Sequence, residues 1–244
     1  MRKHILPALL IGAAAFAACE KIENQFLPQN QLKTTTGSTL ANPSVIAGAT
    51  MLGAPVAESK IYKLLPDYNS DDKFEASGVH YLNGYFYTVF DNRYKIGKLK
   101  STLPQNSSQN TLLSSGSGDS GFEGIAYDDN NTPNFFVVEE TVKNGSVYQP
   151  RIREYDASMN YQNSLWCEYN FTSGNANKGF EGIAWVYRGA DDYMLGLVEG
   201  TGKVVVLKKT SSKWAFVQEI TLPSSVTFTD YSDIAIYGNK VAIT

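Results

Sequence analysis

The chain has 244 residues, with 21 Lys and Arg against 24 Asp and Glu, and its formal net charge is −3. A mildly acidic chain lacks the clustered basic charge on which binding to a phosphate backbone depends, so we expect no nucleic acid partner. The 15 Tyr and 12 Phe favour β structure, because aromatic side chains are enriched in strands. Only two cysteines, Cys19 and Cys167, are present, which excludes a disulfide framework.

The N-terminus has the pattern of a secretory signal. Arg2 and Lys3 precede an apolar run over residues 5–18 that ends in small residues, and we assign residues 1–18 to a signal peptide. The run is shorter than the roughly 20 residues that a membrane-spanning helix needs. Removing this segment takes away Arg2 and Lys3, so the net charge of the exported protein becomes −3 − 2 = −5.

Two cleavage sites compete at the end of this signal. Phe16-Ala17-Ala18-Cys19 is typical of a lipobox, which would make Cys19 a lipidated residue and the protein a cell-envelope lipoprotein, held to the membrane through that anchor only. Ala15-Phe16-Ala17 is an ordinary cleavage site, which would make the protein secreted and extracellular. We favour lipidation because Cys19 directly follows the apolar run. Residues 19–57 are polar and without periodicity, which predicts a flexible tether.

A repeat of about 50 residues organises the rest of the chain. Each copy begins with a segment resembling Phe-Glu-Gly-Ile-Ala, and the aligned starts are residues 74–81, 121–127, 179–185 and 231–237. Taking Gly78, Gly124, Gly182 and Asp233 as equivalent, the spacings are 46, 58 and 51 residues.

Each start is followed by a second apolar run that ends in an acid, a third with basic flanks and a fourth. Four antiparallel strands repeated at this interval are typical of a β-propeller, so we predict an all-β fold of four-stranded blades over residues 58–244. Asn83-Gly84 and Gly238-Asn239 lie where tight hairpin turns require residues tolerant of positive φ.

The number of blades does not make a closed ring. Residues 60–65 are predicted to form an outer strand that closes the ring, and they are followed by three whole blades and only the opening hairpin of a fourth. We therefore expect a propeller truncated in its fourth blade, six-bladed and monomeric when complete.

Antiparallel strands bring the blade starts and the ends of the second strands to one face. Converging carboxylates repel one another unless a cation neutralises them, and hard oxygen ligands select Ca²⁺ or Mg²⁺ over zinc. We expect a metal site, with Ca²⁺ as the cation, built from Asp91, Glu123, Glu140, Glu181, Glu199 and Asp233. Glu139 is an alternative to Glu140. A structural alternative also stays open, in which the blade-start glutamates accept hydrogen bonds from the backbone of tight turns.

His80 is the one histidine outside the signal, and it aligns with alanines in the other blades. A titratable group at an otherwise small position could be a catalytic general base, or a packed structural residue. Four basic residues could bind an anion beside the acidic face, or lie at solvated strand edges: Arg151, Arg153, Lys178 and Lys203.

The starts at residues 121–127 and 177–185, each followed by a strand ending in Glu, resemble the phytase-like family also described as "esterase-like activity of phytase". Ala76-Ser77-Gly78-Val79 and the strand at residues 151–156 are similar to the SdiA-regulated family of exported propellers. This resemblance covers about residues 58–244 and implies a propeller fold.

Two functions follow as hypotheses. In the first, the protein binds a small-molecule or protein ligand at an acidic channel mouth without catalysis. In the second, it is a divalent-metal-dependent phytase-like phosphoesterase or esterase, with an activated water as nucleophile.

Overall fold

The computed structural model describes residues 57–114, 116, 120–130, 133–171, 178–224, 226, 230–237 and 240–244. The signal, nearly all of the tether, Cys19 and the Gly238-Asn239 turn lie outside these residues. Within the described part of the chain, no helix is long and apolar enough to span a membrane.

Nearly all of the regular structure is β-strand, which confirms an all-β fold. The strands are β1 (Ala76–Leu82), β2 (Tyr85–Phe90), β3 (Arg93–Lys100), β4 (Thr111–Ser114), β5 (Phe122–Asp128), β6 (Asn134–Asn144), β7 (Val147–Asp156), β8 (Tyr161–Trp166), β9 (Phe180–Arg188), β10 (Asp191–Val198), β11 (Lys203–Lys209), β12 (Trp214–Thr221), β13 (Ile234–Tyr237) and β14 (Lys240–Ile243).

Consecutive strands form antiparallel sheets that match the sequence repeat. Sheet 1 is β1-β2-β3-β4, sheet 2 is β5-β6-β7-β8 and sheet 3 is β9-β10-β11-β12, while β13 and β14 form a separate hairpin. The predicted hairpin turn is present between β1 and β2, where Asn83 and Gly84 have φ of 50° and 80°. Four-stranded antiparallel units are therefore confirmed.

The sheets pack on one another in chain order. Alternate residues of β6 face opposite ways: Phe135 and Val137 pack toward sheet 1, whereas Phe136 and Val138 pack toward sheet 3. A third core joins sheet 3 to the β13-β14 hairpin through residues such as Ile234. Full burial of an apolar side chain of this size contributes about 2 kcal/mol, so both faces of sheet 2 contribute to stability.

The repeated glycine allows the first strands of neighbouring sheets to approach closely. A Cβ added at Gly78 would lie 2.6 Å from the Glu123 carbonyl oxygen, and one at Gly124 would lie 2.7 Å from the Ile183 backbone nitrogen. A Cβ at Gly182 would lie 2.7 Å from the Asp233 Cα. Because no side chain fits at these distances, glycine is required for the sheet spacing.

A β-bulge recurs at the start of each sheet. In sheet 2, Phe122 pairs with Glu139 and Gly124 with Val138, which leaves Glu123 without an opposite residue. The register shifts in the same way at Glu181 in sheet 3 and around Ser77 in sheet 1. A bulge redirects the side chain it carries, so these three equivalent side chains leave the normal alternation of their strands.

The predicted ring-closing strand at residues 60–65 is wrong. The segment contains a short helix, α1 (Ile61–Leu64), and Ile61, Leu64 and Leu65 are buried against Phe90 and Leu99 on the face of sheet 1 that points away from sheet 2. The spacing of the three apolar residues is i, i+3, i+4, which suits one face of a helix and does not match the alternation of a strand.

Cys167 is a fully buried free thiol beside Trp214. Desolvation raises its pKa well above the ordinary value, so the thiol stays protonated and unreactive.

Candidate cation site

Three acids occupy equivalent positions along the second strand of each sheet: Asp91 and Glu199 directly follow β2 and β10, and Glu140 lies within β6. Asp91, Glu140 and Glu199 follow residues that pair with Ala76, Phe122 and Phe180. The backbone N–H group of each donates to a carbonyl oxygen just before the bulge of its own sheet, with partners Glu75 at 2.9 Å, Gly121 at 2.9 Å and Gly179 at 3.2 Å. The sheet hydrogen bonding therefore fixes where these acids leave the backbone.

Glu140, Glu181 and Glu199, which we call the acidic cluster, converge at this end of sheets 2 and 3. One carboxylate oxygen from each lies within 4.8 Å of the others. Glu140 is buried, and its Oε1 accepts a hydrogen bond of 2.6 Å from the Gly179 N–H group. Carboxylate oxygens are the ligands that Ca²⁺ and Mg²⁺ prefer, and the cluster has no nitrogen or sulfur ligand that would favour zinc.

The environment of the acidic cluster favours the protonated carboxyls when no cation is bound. Desolvation, followed by the charge of Glu140, raises the pKa of Glu181, and desolvation is also the largest cause of the raised pKa of Glu140. The pKa of Glu199 is raised by desolvation and by a hydrogen bond with Asp230. A bound cation would compensate for the buried charge and allow these groups to ionise.

Glu123 and Asp91 continue the acidic line toward sheet 1. Glu123 is 9% exposed, and desolvation, together with the charges of Glu181, Asp91 and Glu140, raises its pKa to about 9. The Ser77 hydroxyl lies between the Glu123 carboxyl, whose raised pKa it partly opposes, and the Phe122 carbonyl oxygen, to which it donates a hydrogen bond. Glu123 therefore adjoins the acidic cluster as a carboxyl that is neutral at pH 7 in the metal-free protein.

Asp233 takes a different place from the other predicted ligands. It lies against Gly182, and its Oδ1 accepts a hydrogen bond of 2.8 Å from the Ile234 N–H group. Desolvation raises its pKa to about 7, and the groups that perturb it do not include the acidic cluster. Asp233 is aligned with Gly78, Gly124 and Gly182 in the repeat, and it lies between sheet 3 and the β13-β14 hairpin.

Glu139 belongs to a separate buried network. Its carboxylate pairs with Arg151 and with Arg153, at 3.2 Å from the Arg153 Nε, and it accepts a hydrogen bond of 3.1 Å from the Tyr94 hydroxyl of sheet 1. Glu139 therefore links sheet 2 to sheet 1, whereas Glu140 belongs to the acidic cluster.

The four basic residues considered for anion binding all have carboxylate partners. Arg151 and Arg153 pair with Glu139, Lys203 pairs with Glu219 at 2.8 Å, and Lys178 pairs with Glu199. Lys178 is the one that contacts the acidic cluster.

His80 lies in the interface between sheets 1 and 2. Its ring centroid is 5.7 Å from that of Tyr127 and 6.3 Å from that of Phe135. Desolvation lowers its pKa, and the negative charge of Asp129 partly opposes this shift. In the interface between sheets 2 and 3 the equivalent residue is Ala126. It packs in a core bordered by Trp185, which is larger than the Tyr127 that packs against His80. These contacts do not bring His80 to the acidic cluster, and its role as a general base stays a prediction.

Three of the predicted acids, Glu140, Glu181 and Glu199, lie together, and the sequence did not predict two features of their surroundings. The bulges that redirect Glu123 and Glu181 have no signal in the sequence except the glycine that follows each acid. The contribution of Asp230, which neighbours Glu181 and Glu199, could have been found from its position three residues before the Gly-equivalent Asp233.

Comparison with models of known protein families finds none that matches this chain, and no curated protein matches it.

Proposed function

We propose that the protein binds a divalent cation, with Ca²⁺ as the preferred ion, at the acidic cluster, and that it uses this site to bind a small-molecule or protein ligand. The observation that carries the proposal is the convergence of Glu140, Glu181 and Glu199, with carboxylate oxygens within 4.8 Å of one another. Partly buried carboxylates this close repel one another when ionised, and a cation removes that repulsion.

We propose further that the sheets are consecutive blades of a β-propeller. Three observations support this arrangement: sheets of four strands follow one another in chain order, their first strands are adjacent, and the same glycine mediates each approach. On this proposal the acidic cluster lies at the mouth of the central channel, and the relationship to the phytase-like and SdiA-regulated families follows from the same repeat.

The binding experiment is a titration of the metal-free protein with Ca²⁺ and Tb³⁺, by calorimetry and by Tb³⁺ luminescence. We expect one site in the wild type and a loss of affinity of about a hundredfold in Glu140→Gln and Glu181→Gln, because each removes a charged ligand. Glu168→Gln is the matched control, since Glu168 is half exposed and pairs with Lys213 away from the cluster. Equal affinity in all four proteins, or no binding at all, would contradict the proposal.

A metal-dependent phosphoesterase or esterase is a second candidate, and the position of Glu123 favours it. Glu123 adjoins the acidic cluster, and a carboxyl there can act as the general acid that transfers a proton to the oxygen of a leaving group. The cation, when bound, would polarise the phosphoryl or carbonyl oxygen of the substrate.

Activity toward p-nitrophenyl phosphate and p-nitrophenyl acetate in the presence of Ca²⁺ tests this candidate. We expect Glu123→Gln to lower kcat by about a hundredfold, the usual contribution of a general acid, while Ca²⁺ affinity changes much less. A wild type that hydrolyses neither compound faster than the buffer blank would leave the binding function alone.

A further inference from the structure

Lys178 is a positively charged side chain that contacts the acidic cluster. Its Nζ lies 3.1 Å from Glu199 Oε2, and the charges of Asp230 and Glu181 also act on it. The ion pair with Glu199 is the largest cause of its raised pKa. The lysine therefore already pairs with one of the three carboxylates that a metal ion would use as ligands.

The surroundings of Lys178 allow its ammonium group to move away from Glu199. Its side chain is 50% exposed, whereas that of Glu199 is 14% exposed, so the ammonium can turn into solvent while the carboxylate stays in place. The aliphatic stem passes over Gly200, where an added Cβ would lie 3.3 Å from Lys178 Cδ. A flexible, half-hydrated ammonium loses little when it exchanges a carboxylate for water.

We propose that Lys178 is an internal competitor for the cation site and determines its selectivity, an inference that rests on the proposed cation-binding function. A metal ion that takes Glu199 as a ligand must displace the ammonium. A divalent ion gains enough from the three carboxylates to do so, whereas a monovalent ion of the same charge as the lysine gains little in exchange. Lys178 thus keeps the site closed to Na⁺ and K⁺ and lowers its affinity for Ca²⁺.

The test is the Ca²⁺ affinity of Lys178→Met, measured by calorimetry in buffers of 20 and 200 mM KCl. Removing a positive charge roughly 6 Å from a divalent ion should raise affinity by about tenfold at low salt. The variant should also become more sensitive to K⁺ than the wild type, beyond general screening. Lys178→Arg keeps the charge and should bind Ca²⁺ as the wild type does.

Lys208→Met is the matched control, because Lys208 pairs with Asp191 at 2.7 Å at the opposite end of sheet 3 and is 40% exposed. It loses the same charge and should leave Ca²⁺ affinity unchanged. Unchanged or weaker binding in Lys178→Met would overturn the role of Lys178 while leaving the cation site intact. Absence of binding in the wild type and in every variant would instead overturn the proposed function itself. Binding in Lys178→Met alone would support both.

Discussion

Glu123 illustrates how the bulge changes the chemistry of a single residue. Without the bulge, its side chain would follow the alternation of β5, whereas the register shift at this position leaves it with no opposite residue and beside Glu140 and Glu181. Its pKa of about 9 then follows from desolvation and like charge, not from any unusual property of glutamate.

The first prediction is that the metal-free protein becomes less stable as pH rises. The folded pKa of Glu123, about 9, lies above its ordinary value of 4.5, so the folded state keeps a proton that the unfolded state loses between these values. The contribution of this group to stability is therefore complete below pH 4.5 and is lost progressively as pH rises toward 9. Urea midpoints at pH 5, 7 and 9 in EDTA measure it.

Glu123→Gln should reduce that decline, and saturating Ca²⁺ should oppose it in the wild type. Glu140 and Glu181 have raised pKa values too, so part of the slope should remain in the variant. A urea midpoint that increases with pH in EDTA would contradict the predicted environment of these groups.

The second prediction concerns the buried network around Glu139. Glu139→Leu leaves Arg151 and Arg153 without their carboxylate, and the loss of one partner from a buried ion pair destabilises a protein by about 3 kcal/mol. Chemical denaturation measures this change. Glu168→Leu, which breaks the half-exposed pair with Lys213, should change stability by less than about 1 kcal/mol. Similar effects in both variants would argue against the network.

At the scale of elements, the repeated glycine is a packing requirement between first strands. The third prediction is that Gly124→Ala destabilises the protein by about 3 kcal/mol, because its Cβ would lie 2.7 Å from a backbone atom of β9 that cannot move independently. Gly200→Ala is the control, since the nearest atom is the flexible end of Lys178 at 3.3 Å. Thermal unfolding of the two variants gives the comparison, and equal Tm values would contradict it.

The fourth prediction concerns α1, which covers one face of sheet 1. Leu64 is 1% exposed and packs in the core that contains Phe90 and Leu99, so Leu64→Ala should destabilise the protein by about 3 kcal/mol. Hydrogen exchange should increase first in β2 and β3, which form this face. Faster exchange confined to sheet 3 would be inconsistent with the packing.

How well an element could be predicted depended on which signal defined it. Strands followed from the repeat, and β5 and β9 begin within the starts that the sequence predicts at residues 121–127 and 179–185. The helix α1 was missed because it has only four residues, too few for a helical period to stand out in the sequence. The bulges, and the different environments of Glu139 and Glu140, depend on hydrogen bonds between strands. A local sequence pattern does not encode these bonds.

At the scale of the molecule, the two ends of the first strands differ in character. The start of β5 meets the acidic cluster, whereas farther along the same strand Tyr127 packs with His80 between sheets 1 and 2. The lowered pKa of His80 indicates a neutral imidazole in the folded protein, in keeping with a packing role. Ion binding is therefore expected at one end of the strands only.

The fifth prediction is that the protein is exported and attached to a membrane through Cys19. Expression of the full chain in a bacterial host with radiolabelled palmitate should label the wild type and Cys167→Ala but not Cys19→Ser, because Cys167 is a buried thiol. Label that persists in Cys19→Ser would exclude this anchor. Release of unlabelled wild type into the medium would support ordinary secretion.

The adjacent glycine and bulge positions also have a consequence for how such a protein can diversify. The glycine that sets the spacing between sheets and the side chain that faces the cation site are neighbours in sequence, yet Ser77 replaces the acid of Glu123 while Gly78 keeps the glycine of Gly124. Duplication of a unit copies both the glycine and the adjacent side chain. A single later substitution can then change the side chain while the glycine, and with it the sheet spacing, is kept. New chemistry can thus be acquired one unit at a time without remodelling the backbone.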